Sequence, residues 1–240
     1  MTTETENRPL RVLGVFAHPD DAMFFCGATL ALFAMDGAEL TLVVATSGDK
    51  GSDDLEMTSE RLVEIREAEE RAAGAALGAQ DVVFLRYKDG ELAPTLDLRR
   101  DIVRMIRMKK PDIVFTLDPT VFWYGTGGIN HPDHRAIGEA TLAAVFPTAR
   151  DRLNFPEQER DEGLAAHKAL TVYIAGAGDP TMTVDVTRSI DTKIRSLHEH
   201  KSQIKDMEAM EKRIKERALD PTAPSQYPRY VEHFRVIQLR

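Results

Sequence analysis

The sequence predicts an α/β protein with a mostly parallel sheet, and three observations carry that expectation. Five short runs are apolar almost without interruption, longer helix-like stretches alternate with them, and glycine or proline marks where several stretches end. Strands without polar alternation are covered on both faces, the state of a parallel sheet held between helical layers. Repeated strand–helix alternation makes the arrangement doubly wound, a Rossmann-like three-layer fold. In such sheets ligands bind at the carboxyl ends of the strands, where loops meet helix amino termini.

The strand candidates are RVLGVFA (11–17), LTLVVAT (40–46), DVVFL (81–85), DIVFTLD (112–118) and LTVYIAG (170–176). The helix-like stretches are 22–36, 58–78, 96–109 and 133–146. The first stops at Asp36-Gly37 and the second near Gly78, where glycine takes the left-handed cap conformation. The third stops before Lys109-Lys110-Pro111, with cations against the helix dipole and a proline to end it. Residues 189–219 read as a long helical segment with one break, its eight cations and six anions mixed as on a solvent-facing helix. A Pro-rich loop, DPTAPSQYPRY, leads to a last strand candidate, VEHFRVIQL. No repeat, low-complexity tract or linker divides the 240 residues, so one domain over 1–240 is expected, with a helical and loop C-terminal part from about 189.

Composition excludes several classes. At 42% hydrophobic residues, the chain is neither disordered nor collagen-like. A net charge of −8 argues against a nucleic-acid partner. Residues 49–70 hold nine acids against three bases, a solvated acidic face. The single cysteine, Cys26, rules out an internal disulfide and a cysteine-based zinc site, and its apolar surroundings predict a buried, inert thiol. The amino terminus, MTTETENRPL, is polar and acidic, unlike a signal peptide. The longest apolar run, 22–35, has 14 residues against the roughly 20 that span a bilayer. A cytoplasmic protein without a membrane span is expected.

Two motifs carry chemistry. The first strand runs into Ala17-His18-Pro19-Asp20-Asp21 just before a helix begins. An N-cap accounts for one aspartate, but not for an adjacent pair with a histidine. The second motif, Asn130-His131-Pro132-Asp133-His134, follows the strand DIVFTLD and a long loop, with Pro132 suited to a first helical turn. His131 and His134, together with His18 and Asp21, supply what a catalytic metal site requires: three protein ligands of His and carboxylate type, with a fourth position left open. Zn²⁺ fits this set, and Fe²⁺ or another divalent metal fits it as well.

These residues resemble the PIG-L (LmbE-like) family of metal-dependent N-deacetylases. The resemblance rests on AHPDD (17–21), ATSGDKG (45–51), IREAEERAAGAALG (65–78), HPDHRAIG (131–138) and EHKSQI (199–204), in order along most of the chain. It implies that His18, Asp21 and His134 hold the metal, that Asp20 is the general base, and that His131 is the electrophilic or acid partner. A zinc-activated water has a pKa near 7, against about 15.7 in bulk, so a carboxylate beside it can take its proton. The expected reaction removes an N-acetyl group from an N-acetylglucosamine-type amino sugar or small conjugate. One alternative is an amidase acting on a different amide, such as a thiol conjugate. The other is a non-catalytic sugar-binding protein.

The family commonly reads HPDDE, where this chain has Ala22, and Ile129 stands where thiol-pathway relatives carry a tyrosine. Trp123 and Tyr124, in the same loop as Ile129, are candidate substrate contacts in its place. Arg66 matches a family arginine, implying a substrate-binding or supporting role. His200 lies in EHKSQI, implying a place near the site. Residues 47–52 lack P-loop spacing and read as a flexible rim. His167, His198 and His233 read as surface or packing residues. The aromatic tail residues Tyr227, Tyr230 and Phe234 are expected over the pocket or in a subunit contact, and a homo-oligomer is compatible with the tail.

Overall fold

The computed structural model describes residues 8–240; the amino-terminal segment read above as unlike a signal peptide lies mostly outside these residues. β1 (Arg11–Phe16), β2 (Glu39–Thr46), β3 (Asp81–Tyr87), β4 (Ile113–Leu117) and β7 (Thr171–Ala175) pair in parallel, in the order β3-β2-β1-β4-β7. β9 (Val231–Gln238) and β8 (Met182–Asp185) complete the seven-stranded sheet as antiparallel edge strands. The predicted α/β fold is present, and the apolar runs of β1, β2 and β4 are buried as expected, every residue of β2 after Glu39 being inside, whereas β3, at the sheet edge, is only partly covered.

Two helical layers cover the sheet. α1 (Asp21–Met35), α2 (Ser59–Leu77) and α6 (Ile190–Leu197) pack on one another, while α3 (Leu96–Lys109) packs on α4 (Pro132–Ala143). The expected stops hold: Gly37 and Gly78 take φ of 87° and 92°, and Lys110 closes α3 in the left-handed region. Thr58 and Thr95 cap α2 and α3 by accepting the Arg61 and Leu98 N–H groups. Gly138 lets α4 lie directly against the end of β4, since a Cβ there would sit 2.3 Å from the Leu117 carbonyl oxygen.

The strand order reverses direction between β1 and β4, β2 lying on one side of β1 and β4 on the other. That switch point opens a crevice beyond the carboxyl ends of the two strands. The residues after β1 and those leading into α4 both face it.

Several expectations differ from the structure. The segment 189–219 is two helices, α6 and α7 (Met207–Ala218), separated by nine residues. It is not wholly solvent-facing either, because Lys193 is buried. Phe234 does not cover the pocket: it is fully buried, with its ring centroid 5.7 Å from that of Phe115 and 5.5 Å from that of Tyr173. The hairpin β5 (Trp123–Tyr124) and β6 (Gly128–Ile129), the edge strand β8 and the short α5 (Pro156–Glu162) have no apolar periodicity long enough to predict them.

α1 is broken at Cys26, which has φ −150° and ψ 18°. The break frees backbone groups that need partners in the interior. Glu232 on β9 accepts the Ala28 and Thr29 N–H groups at 3.3 and 2.8 Å. Lys193 donates to the Phe24 carbonyl at 2.8 Å and to Glu232 at 2.7 Å. A buried ion pair on two distant elements thus caps both sides of the break. Cys26 lies inside it with its thiol pushed well above the ordinary range by burial. Glu232→Ala would leave Lys193 buried without its counter-charge, and should lower the unfolding free energy by about 3–5 kcal/mol in urea denaturation. A loss below about 1 kcal/mol, the scale of an exposed pair, would show that other contacts hold the break.

Candidate metal centre

The turn after β1 is built around Asp21. Its Oδ2 accepts the Ala17 and His18 N–H groups at 3.2 and 2.9 Å, which fixes the loop before α1 begins. The same oxygen lies 3.4 Å from His18 Nδ1, and Oδ1 lies 3.0 Å from His134 Nε2. The donor atoms of His18, Asp21 and His134 fall within 4.8 Å of one another, and the three residues could hold a metal ion. Burial tends to raise the Asp21 carboxyl, but His134 and His18 outweigh it and hold it well below the usual range. Burial opposes charge on His18, yet Asp21, Asp133 and Asp89 push its pKa up to about 12.

Each histidine of this group is oriented from behind. His18 Nε2 lies 3.3 Å from Asp133 Oδ2 and 3.2 Å from Asp89 Oδ1, leaving Nδ1 toward Asp21. Asp133 also accepts the Gly90 and Leu92 N–H groups, so the loop after β3 is anchored to the same carboxylate. His134 Nδ1 is 2.9 Å from Asn130 Oδ1, an oxygen that also accepts the Tyr124 hydroxyl at 3.0 Å. Asn130 Nδ2 donates to the Val121 carbonyl, which sets the amide the right way round for its oxygen to accept. His134 therefore donates through Nδ1 and keeps a lone pair on Nε2, the tautomer a metal requires. This donor set and its supports fit a divalent metal.

A second group, His18, His131 and Asp133, is also close enough to hold an ion. Its members are committed elsewhere. Asp133 is taken by two backbone N–H groups, and His131 Nδ1 accepts the Asp133 N–H at 3.2 Å as the N-cap of α4. That bond leaves His131 with Nε2–H on a half-exposed ring lining the cleft. Burial and the neighbouring His18 hold its pKa below the usual value, which favours the neutral ring as a donor.

Asp20 is not a capping residue by side chain. It sits at φ 93°, a left-handed conformation that aspartate tolerates better than most residues. Its N–H donates to Glu70 Oε2 at 2.9 Å and its Oδ2 accepts Arg66 at 3.2 Å. Burial, with Asp21 alongside, pushes the Asp20 carboxyl up to about 7 against the pull of Arg66.

The residues matched beyond the two motifs are placed as follows. Arg66 is buried and spans the site floor, donating to the Pro19 and Gly48 carbonyls as well as to Asp20. Gly48 must be glycine twice over, since its φ is 64° and a Cβ would lie 2.0 Å from the Arg66 guanidinium. The rim 47–52 is therefore tied down. His200 is wholly buried, with Nε2 3.5 Å from Glu70, and does not reach the cleft. Trp123 is exposed on the hairpin and Tyr124 is tied to Asn130; neither lines the cleft. His167 and His198 pair with the Pro111 carbonyl and Glu211, whereas His233 lines the cleft. Sequence reasoning gave no role to Asn130, Asp133, Asp89 or Glu70. Two of them stand inside the second motif; the other two have no local signal.

Fold and site together define a three-layer α/β protein with a metal-competent His₂Asp group at the strand switch point. The chain belongs to the PIG-L family, described as GlcNAc-PI de-N-acetylase, which matches residues 13–145. It is 30% identical over 200 residues to a diacetylchitobiose deacetylase of Thermococcus kodakarensis, covering 83% of this chain and 72% of that one. It is also 30% identical to a 1D-myo-inositol 2-acetamido-2-deoxy-alpha-D-glucopyranoside deacetylase of Actinosynnema mirum, over 83% of each chain. Among solved structures, the N,N'-diacetylchitobiose deacetylase of Pyrococcus horikoshii, complexed with an inhibitor, superposes with a TM-score of 0.83 at 28% identity, covering 95% of this chain and 84% of that one.

Asn130→Ala should weaken binding of a divalent metal by about 10–100-fold, because it frees His134 to rotate and to change tautomer. Competition against a chromophoric chelator measures this, and an unchanged affinity would place the control of His134 elsewhere.

Proposed function

We propose that this chain hydrolyses the N-acetyl group of an N-acetylglucosamine-type amino sugar or small conjugate, with zinc held by His18, Asp21 and His134. The observation that carries this reading is the convergence of two motifs from separate strand ends on one cleft of about 730 Å³, which holds the ligand set, Asp20 and His131 together. That volume is within the roughly 300–1,000 Å³ of small-molecule sites. Deacetylation is the activity named for the two relatives and for the superposed structure. Among the described residues no helix is long and apolar enough to cross a membrane, which suits a small polar substrate better than a lipid-embedded one. We take the setting to be cytoplasmic, in keeping with a single buried cysteine.

When bound, the metal supplies Lewis acidity toward a water molecule and the amide carbonyl. The rest is the work of this chain's side chains. Asp20 is held by Arg66 through Oδ2, and its other oxygen, free of protein partners among the described residues, takes the proton from the attacking water. His131 presents Nε2–H to the carbonyl oxygen as that oxygen gains charge. The proton held on Asp20 passes to the departing amine nitrogen as the C–N bond breaks, giving acetate and the free amino sugar. Arg66 and Glu70 position Asp20 through its carboxylate and its N–H.

Asp20→Asn should keep its zinc and lose at least about 10²-fold in turnover, the range for removing a general base. Acetate release from a panel of N-acetylated amino sugars, with metal content measured in parallel, checks this. Loss of zinc in the variant would contradict the division between ligand and base. Absence of release from metal-loaded wild type across the panel would favour a binding protein.

A further inference from the structure

Two arginines of α7 face the same cleft as the metal ligands and have no partner. Arg213 and Arg217 are four residues apart, on one side of the helix, and both line the cleft that His131 and His134 line. Among the described residues neither makes an ion pair or a side-chain hydrogen bond. The neighbouring charges of α7 do pair: Glu211 with His198, Lys212 with Glu216, and Lys215 with Asp191. Other charges of the cleft are committed too. Arg66 serves Asp20 and two carbonyls, Lys193 serves Glu232 and Phe24, and Asp21 and Asp89 face His18. In a chain of net charge −8, this wall of the cleft is left with uncompensated positive charge.

A cation in the last turn complements the helix dipole, which accounts for Lys215 and Arg217 on electrostatic grounds alone. It does not account for Arg213 in the middle of the helix, nor for both side chains lining the cleft. The bridge between Leu219 and Tyr230 draws the end of α7 to the start of β9, bringing His233 to the same cleft. His233 Nδ1 lies 3.0 Å from the Thr183 hydroxyl; with that hydroxyl donating, Nε2–H remains for a ligand. Guanidinium forks match planar or tetrahedral oxyanions, and the site offers two of them with a ring N–H beside.

We infer that Arg213, Arg217 and His233 form an anion subsite, and that the substrate carries a carboxylate or phosphate group away from its acetamido group. The inference rests on the deacetylase reading for the word substrate, but the subsite itself is tested by binding. The probes are N-acetylglucosamine, its 1-phosphate and 6-phosphate, and its malate glycoside, titrated by calorimetry into zinc-loaded protein carrying Asp20→Asn to prevent turnover. At least one anionic probe should bind about tenfold or more tightly than the neutral sugar. In Arg213→Gln/Arg217→Gln that advantage should disappear while the neutral sugar binds as before. Both positions are exposed and glutamine is a good helix former, so the fold survives the change, as a thermal melt will show. Which probe gains distinguishes carboxylate from phosphate. Equal binding of all four probes, or an advantage that survives the double variant, overturns the subsite. Acetate release by protein with Asp20 intact is read separately: anion preference without release upholds the subsite and removes the deacetylase reading.

Discussion

The carboxylate of Asp21 is the interaction on which the site depends. Four groups converge on its two oxygens: two backbone N–H groups of the turn after β1, and ring nitrogens of His18 and His134. A buried carboxylate is costly unless its lone pairs are met. Oδ2 takes the two backbone N–H groups of the β1 turn, while Oδ1 and the His134 Nε2 lone pair face each other across the strand switch point, a pair that a bound cation would satisfy. The carboxylate therefore ties the β1 turn to α4. With the ends joined, Asp133 can reach His18 and the loop after β3, and Asn130 can orient His134. Remove the central acceptor and both the turn and the ring pair lose their reason to stay in place.

A second set of contacts lies under Asp20. Arg66 and Glu70 are one turn apart on α2, so one helix presents a donor for the Asp20 carboxylate and an acceptor for its N–H. That pair holds the left-handed backbone at Asp20, and Gly48 is shaped to let the arginine through. The broken helix α1 is held in the same fashion, by Lys193 and Glu232 from α6 and β9. Strained or interrupted backbone at the cleft is in each case matched by a charged group from elsewhere in the chain.

Sequence and structure agree where the signal is local. The parallel strands are legible because nearly uninterrupted apolar runs mark them, buried on both faces in β1, β2 and β4 and half-covered at the β3 edge, and AHPDD and NHPDH stand beside recognisable strand ends. What escaped notice depends on distant pairing. Nothing around Glu232 says that it caps a helix break some 200 residues earlier. Lys193 is one more cation of a charged helical segment in the sequence, and only the fold buries it. Glu70 and Asp89 look like ordinary acids of a helix and a loop. Asn130 was the nearest miss: it sits in the motif, and an amide beside a ligand histidine is a known way to fix a tautomer.

The central claim is that His18, Asp21 and His134 bind the metal while His131 stays free to act on substrate. Two histidine–carboxylate groups share His18, so the claim is decided by separating His131 from His134. Metal content by mass spectrometry of zinc-reconstituted wild type, His131→Ala and His134→Ala makes that separation. The account predicts one zinc per chain in wild type and His131→Ala, and its loss in His134→Ala. Zinc retained by His134→Ala and lost from His131→Ala would contradict it, and would move the metal to His18, His131 and Asp133.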